Sequence, residues 1–354
     1  MKPPVTLESR FAFDTIIDAR TPAEFAIDHI PGAINCPVLN DDERCIVGTL
    51  YKQQGAFEAR RLGSALVAAN LAVHIQTQFA NHPASWRPLI YCWRGGLRSG
   101  SMAQWLRLVG WDAQQLPGGY KVWRRHVIAT VERVAPLLHI VIVSGATGSA
   151  KTQVLHALAE RGHQTIDLEG LARHKGSLLG AWPGVPQPFQ IGFETALAAQ
   201  LETLDLNRPV FVESEGARIG QINVPTPLVS RMRQSPRVIE VQATLQARVA
   251  YLLRDYAYLG ERPEWLAKQL EPLTHLHGRE TIAAWQAMAL ANNLPPLFEQ
   301  LATRHYDPAY ARSQQAHYVQ WPKRVGLETD DLSEAGIGRL AEAVALASAG
   351  ASLG

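Results

Sequence analysis

Only three cysteines occur in 354 residues, Cys36, Cys45 and Cys92, and no two of them stand in a C-x-x-C pair. An odd count at such spacing excludes a disulfide framework or a structural zinc site as the organising device, and no metal-ligand set is expected. Long apolar runs are missing as well. "HIVIVSGA" is strand-sized, and the alanine-rich tail "LAEAVALASAGASLG" is short and interrupted by glutamate, so no membrane span is expected. The start "MKPPVTLESRFAFD" has a proline pair and early charges where a secretory leader needs an apolar stretch, which predicts a cytoplasmic protein. Neither sign of charge is in excess, with 34 Lys and Arg against 32 Asp and Glu. A polyanionic partner would therefore have to be met by local clustering of basic side chains.

What is present is an ample apolar fraction, 47% against 19% charged residues, the composition of a globular chain. The length exceeds what one core organises and predicts two domains. Short apolar runs alternate with helical stretches, as in "TIIDAR", "AFEARRLGSALVAANLAVHIQ", "PLIYC" and "SMAQWLRLVGW". That pattern belongs to α/β folds with parallel sheets and crossover helices, and it restarts at "HIVIVSG". The helix "RRHVIATVERVAPLL" closes the first series and Pro136 ends it, which puts the domains at residues 1–136 and 137–354. From about 245 to 330 the chain reads as helical.

In "LIYCWRGGLRSGS" an apolar strand delivers Cys92 to its C-terminal end, where ligands gather in open α/β sheets. Gly95 and Gly96 allow successive N–H groups to turn toward the sulfur. The helix that begins near Ser99, with Arg94 and Arg98, adds positive potential that favours negative charge on the sulfur. A cysteine, five residues and an arginine after a strand also form the active-site loop of the rhodanese family. "DARTPAEFAIDHIPGAINCPV", with Asp18, Arg20, Glu24, His29, Gly32 and Ala33 in order, resembles that family's upstream signature. "LPGGYKVWRR" resembles its closing segment. The resemblance implies that Cys92 carries sulfur or selenium; Glu24 and His29 are expected to hold the fold, and Cys36 and Cys45 match no catalytic position.

"HIVIVSGATGSAKTQVLHAL" is a β-branched strand, a small-residue loop and an amphipathic helix, the setting in which backbone N–H groups and a helix N-terminus converge on phosphate. Gly145, Thr147, Gly148, Ser149, Ala150, Lys151 and Thr152 are the expected diphosphate-binding residues. Thr152 is placed to ligate Mg²⁺ carried in with the diphosphate. The strict P-loop pattern has glycine where Ala150 stands; helical dihedrals are expected there, with a methyl that narrows the pocket and disfavours ordinary ATP turnover. "PVFVESEG" supplies Glu213 and Glu215 at a strand end, and "QTIDLEG" supplies Asp167 and Glu169, as candidates for acid–base work or Mg²⁺. Arg218 is expected to clamp phosphate. Each carboxylate has an alternative role as a helix cap or surface ion pair.

A rhodanese-like domain followed by a P-loop domain resembles the bacterial tRNA 2-selenouridine synthases, as do "PVLNDDERCIVGTLYKQQG", "DLEGLARHKGSLLG", "VESEGARIG" and "HYDPAYARS". The resemblance implies a transferase that replaces sulfur by selenium in wobble 2-thiouridine of tRNA, with selenophosphate and geranyl diphosphate as co-substrates and an S-geranyl intermediate. It implies a selenophosphate-producing enzyme as the source of the donor and no membrane partner. Candidate tRNA contacts lie in the helical region, at Arg248, Arg254, Lys268, Arg279 and Arg304, and above all at Tyr306, Tyr310 and Arg312 for stacking and phosphate contact. The alternatives are an ATP-dependent sulfurtransferase or small-molecule kinase fused to a rhodanese module, and a non-catalytic rhodanese-fold protein that binds RNA.

Overall fold

The computed structural model describes residues 4–349. Packing divides the chain into two units: the chain up to Thr130 with Phe189–Ala199, and Val131–Pro188 with the chain from Gln200 onward. The return of Phe189–Ala199 to the first unit is marked by no change of composition.

The first unit is built on a parallel sheet of β1 (Thr15–Asp18), β2 (Ala33–Asn35), β3 (Pro88–Tyr91) and β4 (Gln114–Gln115) in the order β2-β1-β3-β4. Every residue of β3 is buried, as befits a central parallel strand covered on both faces. Around it run α1 (Pro22–Ile27), α2 (Asp41–Gln54), α3 (Ala56–Thr77), α4 (Leu97–Val109) and α5 (Tyr120–Val134). Thr21 with Glu24, and Asn40 with Glu43, form capping boxes that start α1 and α2, each satisfying two N–H groups that the helix itself leaves open. The core gathers Ile17, Leu71, Phe79, Ile90, Met102 and Leu106.

Two buried acids cross this core. Asp18 is held by the Arg20 guanidinium at 2.6 Å, and that guanidinium lies 3.9 Å from the Tyr120 ring centre and donates to the Asp28 carbonyl. The Asp28 carboxyl accepts from the Tyr120 hydroxyl at 2.6 Å and the Thr195 hydroxyl at 2.9 Å. Burial pushes the Asp28 carboxyl above its ordinary value, against those two hydrogen bonds.

The second unit carries β5 (His139–Gly145), β6 (Gln164–Ile166), β7 (Pro209–Glu213), a two-stranded hairpin of β8 (Arg218–Ile219) and β9 (Ile222–Asn223), β10 (Arg237–Ala243) and β11 (Val325–Thr329). Its main sheet is parallel in the order β11-β10-β5-β7-β6. The helices α6 (Lys151–Glu160), α7 (Leu168–Ala172) and α9 (Thr226–Arg233) lie between the first four of these main-sheet strands in chain order, as does α8 (Gln190–Leu201), of which Gln190–Ala199 belongs to the first unit. Between β10 and β11 runs a helical layer of α10 (Leu245–Asp255), α11 (Pro263–Leu270), α12 (Thr274–His277), α13 (Arg279–Leu290), α14 (Leu294–Gln300) and α15 (Asp307–His317), and α16 (Glu334–Ala349) follows β11. A π-helical turn, Leu301–Tyr306, joins α14 to α15. The helical layer has its own core, with Leu259, Leu266, Leu270, Trp285, Leu297 and Phe298.

The expected helix from 245 to 330 therefore fails at β11. That strand is paired on one side only, and none of its side chains is fully buried, so it lacks the apolar alternation by which a half-buried strand is read. Among the described residues no helix is long and apolar enough to cross a membrane.

An acid whose folded-state value is raised holds its proton longer in the folded chain than in the unfolded one, so its contribution is present at low pH and is lost as pH rises through the folded value. Asp28→Asn keeps acceptors for Tyr120 and Thr195 and removes the ionisation. Urea titrations from pH 4 to 7 should show a smaller fall of stability with pH in this variant than in the wild type; an unchanged slope would contradict a raised Asp28.

Candidate functional site

Cys92 follows the last residue of β3, and its carbonyl accepts the Tyr120 N–H at 2.8 Å while the Trp93 carbonyl accepts that of Lys121. These bonds fold "LPGGY" onto the cysteine loop. A side chain at Gly119 would meet the Cys92 carbonyl at 2.2 Å and the Gly95 nitrogen at 2.6 Å, and φ there is +56°, so glycine is required at that contact. No acceptor among the described residues takes the N–H groups of Arg94, Gly95 and Gly96. The Ser99 hydroxyl donates to the Cys92 sulfur at 3.1 Å and itself accepts from the Gln115 amide at 2.9 Å. Cys92 is only 3% exposed, with the Trp93 ring tilted against Tyr120 at 5.3 Å between centres and Leu97 open to solvent.

Arg98 does not lend free charge to the loop. Its guanidinium binds Glu24 at 2.5 Å, because that carboxylate, already closing the cap of α1, is the nearest anion. Burial opposes ionisation of Glu24, yet the Arg98 hydrogen bond and charge outweigh it and hold the carboxyl below its usual value. Arg94 stays exposed and supplies the open charge. Ser99 and Gln115 carry no sequence signal beyond following the motif, and only the fold brings them to the sulfur.

In the second unit the segment from Gly145 to Thr152 links β5 to α6, and Thr147 to Thr152 line a cavity of about 300 Å³. The N–H groups of Gly148, Ala150, Lys151 and Thr152 find no acceptor among the described residues, which is the open N-terminus that binds anions. The Ser149 hydroxyl is buried without a hydrogen-bond partner. Ala150 departs from the expected helical dihedrals. Its φ of +58° and ψ of +29° are left-handed, a conformation that costs a residue with Cβ roughly 1–2 kcal/mol, and this is what glycine would relieve.

Lys151 turns back to the Gly145 carbonyl at 2.9 Å. Thr152 places its hydroxyl 2.9 Å from Glu169 and 3.1 Å from Glu213, and the Glu169 N–H donates to Glu213 at 2.9 Å. Burial, followed by the neighbouring Glu215 charge, pushes Glu169 up to about 8. Glu213 and Glu215 are raised by the same burial. Burial also disfavours charge on Lys151, but the Tyr310 hydroxyl and the three carboxyls more than offset it and keep the ammonium above its ordinary value. Around Thr152 the Lys151 ammonium thus stands against three carboxyls, while Lys175, the other ammonium on the cavity lining, is paired with Asp255 at 2.7 Å.

Several expectations for this site are corrected. Arg218 lies on β8, exposed, and donates to the carbonyl of Gly220 in its own turn; it does not line the cavity. Asp167 caps α7 by accepting from Gly170 at 2.7 Å and pairs with His156, so the helix-cap alternative holds for it. Tyr306 and Tyr310, both half-buried, line the cavity and do not stand on an open helix face. The Tyr310 hydroxyl accepts the Gly145 N–H at 2.6 Å and bonds Ser144 at 2.5 Å and Ser214 at 3.1 Å, which ties α15 to the root of the loop.

Arg248 is buried, pairs with Asp307 at 2.6 Å and donates to the Thr147 carbonyl. Arg254 is spent on the Leu332 carbonyl, and Arg304 sits 5.9 Å from the Trp285 ring centre. Lys268, Arg279 and Arg312 remain exposed. The helical layer, read in the sequence as an RNA face, is in good part the wall of the P-loop cavity.

A cysteine loop at a parallel-strand end and a P-loop with strand-end carboxylates define a two-unit transferase, a rhodanese-like unit joined to a P-loop unit. Residues 5–126 match the rhodanese-like domain family, and residues 138–271 match the tRNA 2-selenouridine synthase AAA domain. The tRNA 2-selenouridine synthase of Nitrosomonas europaea is 40% identical over 71% of this chain and 66% of its own length. That of Nitrosomonas eutropha is 36% identical over 80% and 74%, and that of Bdellovibrio bacteriovorus 40% over 78% and 72%. The chain belongs to the tRNA 2-selenouridine synthase family.

Substituting Ala150 by glycine should raise stability by about 1 kcal/mol, since the left-handed backbone then carries no Cβ; urea denaturation measures it. A loss of stability would show that the alanine methyl packs more than it strains.

Proposed function

We propose that this enzyme exchanges sulfur for selenium at the wobble 2-thiouridine of tRNA, in two steps served by its two sites. The observation that carries the reading is that family likeness runs through both units while each keeps its chemistry, a cysteine in an open-amide loop and a P-loop closed by carboxylates. In the first step the thiocarbonyl sulfur attacks the first carbon of geranyl diphosphate, the carbon–oxygen bond breaks, pyrophosphate leaves, and the proton on the neighbouring ring nitrogen is lost, to the pyrophosphate or to solvent. The free N–H groups of Gly148, Ala150 and Lys151, with the Lys151 ammonium, stabilise the charge that develops on it. In the second step the selenium of selenophosphate adds at the alkylated carbon, the carbon–sulfur bond breaks and geranylthiol leaves with a proton; water then cleaves the selenium–phosphorus bond, so that phosphate departs and the selenium stays on the carbon. The Cys92 loop, with its unspent amides and Arg94, receives the selenium donor. A selenophosphate-producing enzyme supplies that donor in the cytoplasm.

Mg²⁺ accompanies the diphosphate. The donor set fits it, because Thr152 and the Glu213 carboxyl offer hard oxygen ligands at the loop. No group of three or more His, Cys, Asp or Glu able to hold a metal occurs among the described residues, so such an ion would be held largely by phosphate and water. The cation neutralises diphosphate charge; Lys151, Thr152 and the amides orient the group and exclude water from it.

Lys151→Ala should abolish geranylation of 2-thiouridine tRNA yet retain selenium incorporation into tRNA geranylated beforehand, whereas Cys92→Ser should do the reverse. Mass spectrometry of the nucleosides reads both steps. Equal loss of both steps in each variant would remove the division of labour, and ATP consumption without nucleoside change would remove the reading itself.

A further inference from the structure

The chain around the Cys92 loop is one-sidedly basic. Between Leu89 and Val131 it has six Lys and Arg and a single acid, Asp112. That acid precedes β4, at the opposite end of the parallel strands from Cys92, and pairs with Arg87. Three of the six cations are spent, Arg98 on Glu24, Arg124 on Glu194 and Arg107 on the Ala113 carbonyl. Arg94, Lys121 and Arg125 are exposed, and their side chains have no acceptor among the described residues. Arg94 belongs to the selenium donor on the proposed function, which leaves Lys121 and Arg125 without a role. Four residues apart at the start of α5, they share one helix face. The Lys121 N–H donates to the Trp93 carbonyl at 3.1 Å, so that face begins at the edge of the cysteine loop.

Trp93 is the only aromatic residue of the loop between β3 and α4. Its ring rests against Tyr120, which is itself fixed by its hydroxyl on Asp28 and by the Arg20 guanidinium 3.9 Å from its ring centre. Trp93 nevertheless remains 40% exposed. A ring braced on one side and open elsewhere, with free cations beside it, is the arrangement by which proteins hold unpaired bases.

We infer that this rim takes the anticodon loop of the tRNA, with an unpaired base stacked on Trp93 and flanking phosphates on Lys121 and Arg125. The inference rests on the proposed exchange at a wobble base and adds the surface that presents the base to Cys92. Because Cys92 is nearly buried, a reacting base has to be turned out of its own stack and laid against the cysteine loop, and stacking on Trp93 offsets the cost of unstacking it. An acidic protein would meet the same cations, but the open ring is the feature that singles out a base. The helical layer also has exposed cations, yet its Tyr306 and Tyr310 line the P-loop cavity and offer no such ring.

The test is fluorescence anisotropy of a labelled anticodon stem-loop RNA carrying 2-thiouridine, titrated with the full chain over a series of salt concentrations. The wild type should bind this RNA more tightly than a fully paired duplex of the same length. Trp93→Ala should weaken binding about tenfold, and Trp93→Phe should restore most of it. Lys121→Gln with Arg125→Gln should weaken binding and lower the slope of log Kd against log salt by about 0.7 for each cation removed. Lys52→Gln with Arg60→Gln, which removes two exposed cations from α2 and α3, should leave that slope unchanged. Urea titration shows that each variant is folded, and the cation pair carries the test if Trp93→Ala does not fold. Unchanged affinity in a folded Trp93→Ala would overturn the stacking role, and an unchanged slope in the cation pair would overturn the phosphate contacts; either leaves the proposed exchange standing. No binding of the RNA by the wild type would overturn both. Polyglutamate that displaces the labelled RNA as readily as unlabelled RNA does would overturn the inference in favour of an acidic protein partner.

Discussion

Lys151 and Thr152 sit among three buried carboxyls, and that imbalance governs the second unit. Charges removed from water are tolerated only when paired or neutralised. Here the Lys151 ammonium faces Glu169, Glu213 and Glu215, and burial raises all three carboxyls above their ordinary value. Lys151 meanwhile folds back on the Gly145 carbonyl. An anion alone would add to the negative side. On the proposed function, a diphosphate that brings its own cation would correct the balance and occupy the amides that the loop leaves open. The strained Ala150 and the unpartnered Ser149 hydroxyl sit in the same loop, where departures from local preference are commonly found at functional sites.

The first unit solves a different problem, how to hold the Cys92 sulfur at a strand end beside open amides without exposing it. The parallel sheet carries Cys92 to a strand end, "LPGGY" closes over the loop backbone, and Ser99 with Gln115 orients the sulfur. Glu24 takes the Arg98 charge, so the motif arginine braces α1 against the cysteine loop and leaves Arg94 as the free cation. A buried thiol in this frame is protected from side oxidation, which tracks accessibility.

Much of this was legible in the sequence, for identifiable reasons. Parallel strands announce themselves as β-branched runs, and both chemical loops follow such runs directly, so Cys92 and the Gly145–Thr152 segment stand where sequence reasoning puts them. Glu213, Glu215 and Glu169 were also legible as strand-end acids. Arg218 and Asp167 were not, since a turn and a helix cap use the same residue types as a phosphate clamp and a catalytic acid. Tyr306 and Tyr310 were read as an RNA face because tyrosines beside arginines suggest stacking; the fold of α15 onto the P-loop is a tertiary fact that spacing along one helix does not carry. β11 was hidden because an edge strand with half-exposed residues has neither period.

The balance of charge at the P-loop is tested most directly by the affinity of the full chain for pyrophosphate at neutral pH, with Mg²⁺ and with a chelator. The account predicts binding with Mg²⁺ that weakens by more than about tenfold when the cation is removed, because the carboxyls then face uncompensated phosphate. Pyrophosphate bound as tightly in the chelator as in Mg²⁺ would contradict it.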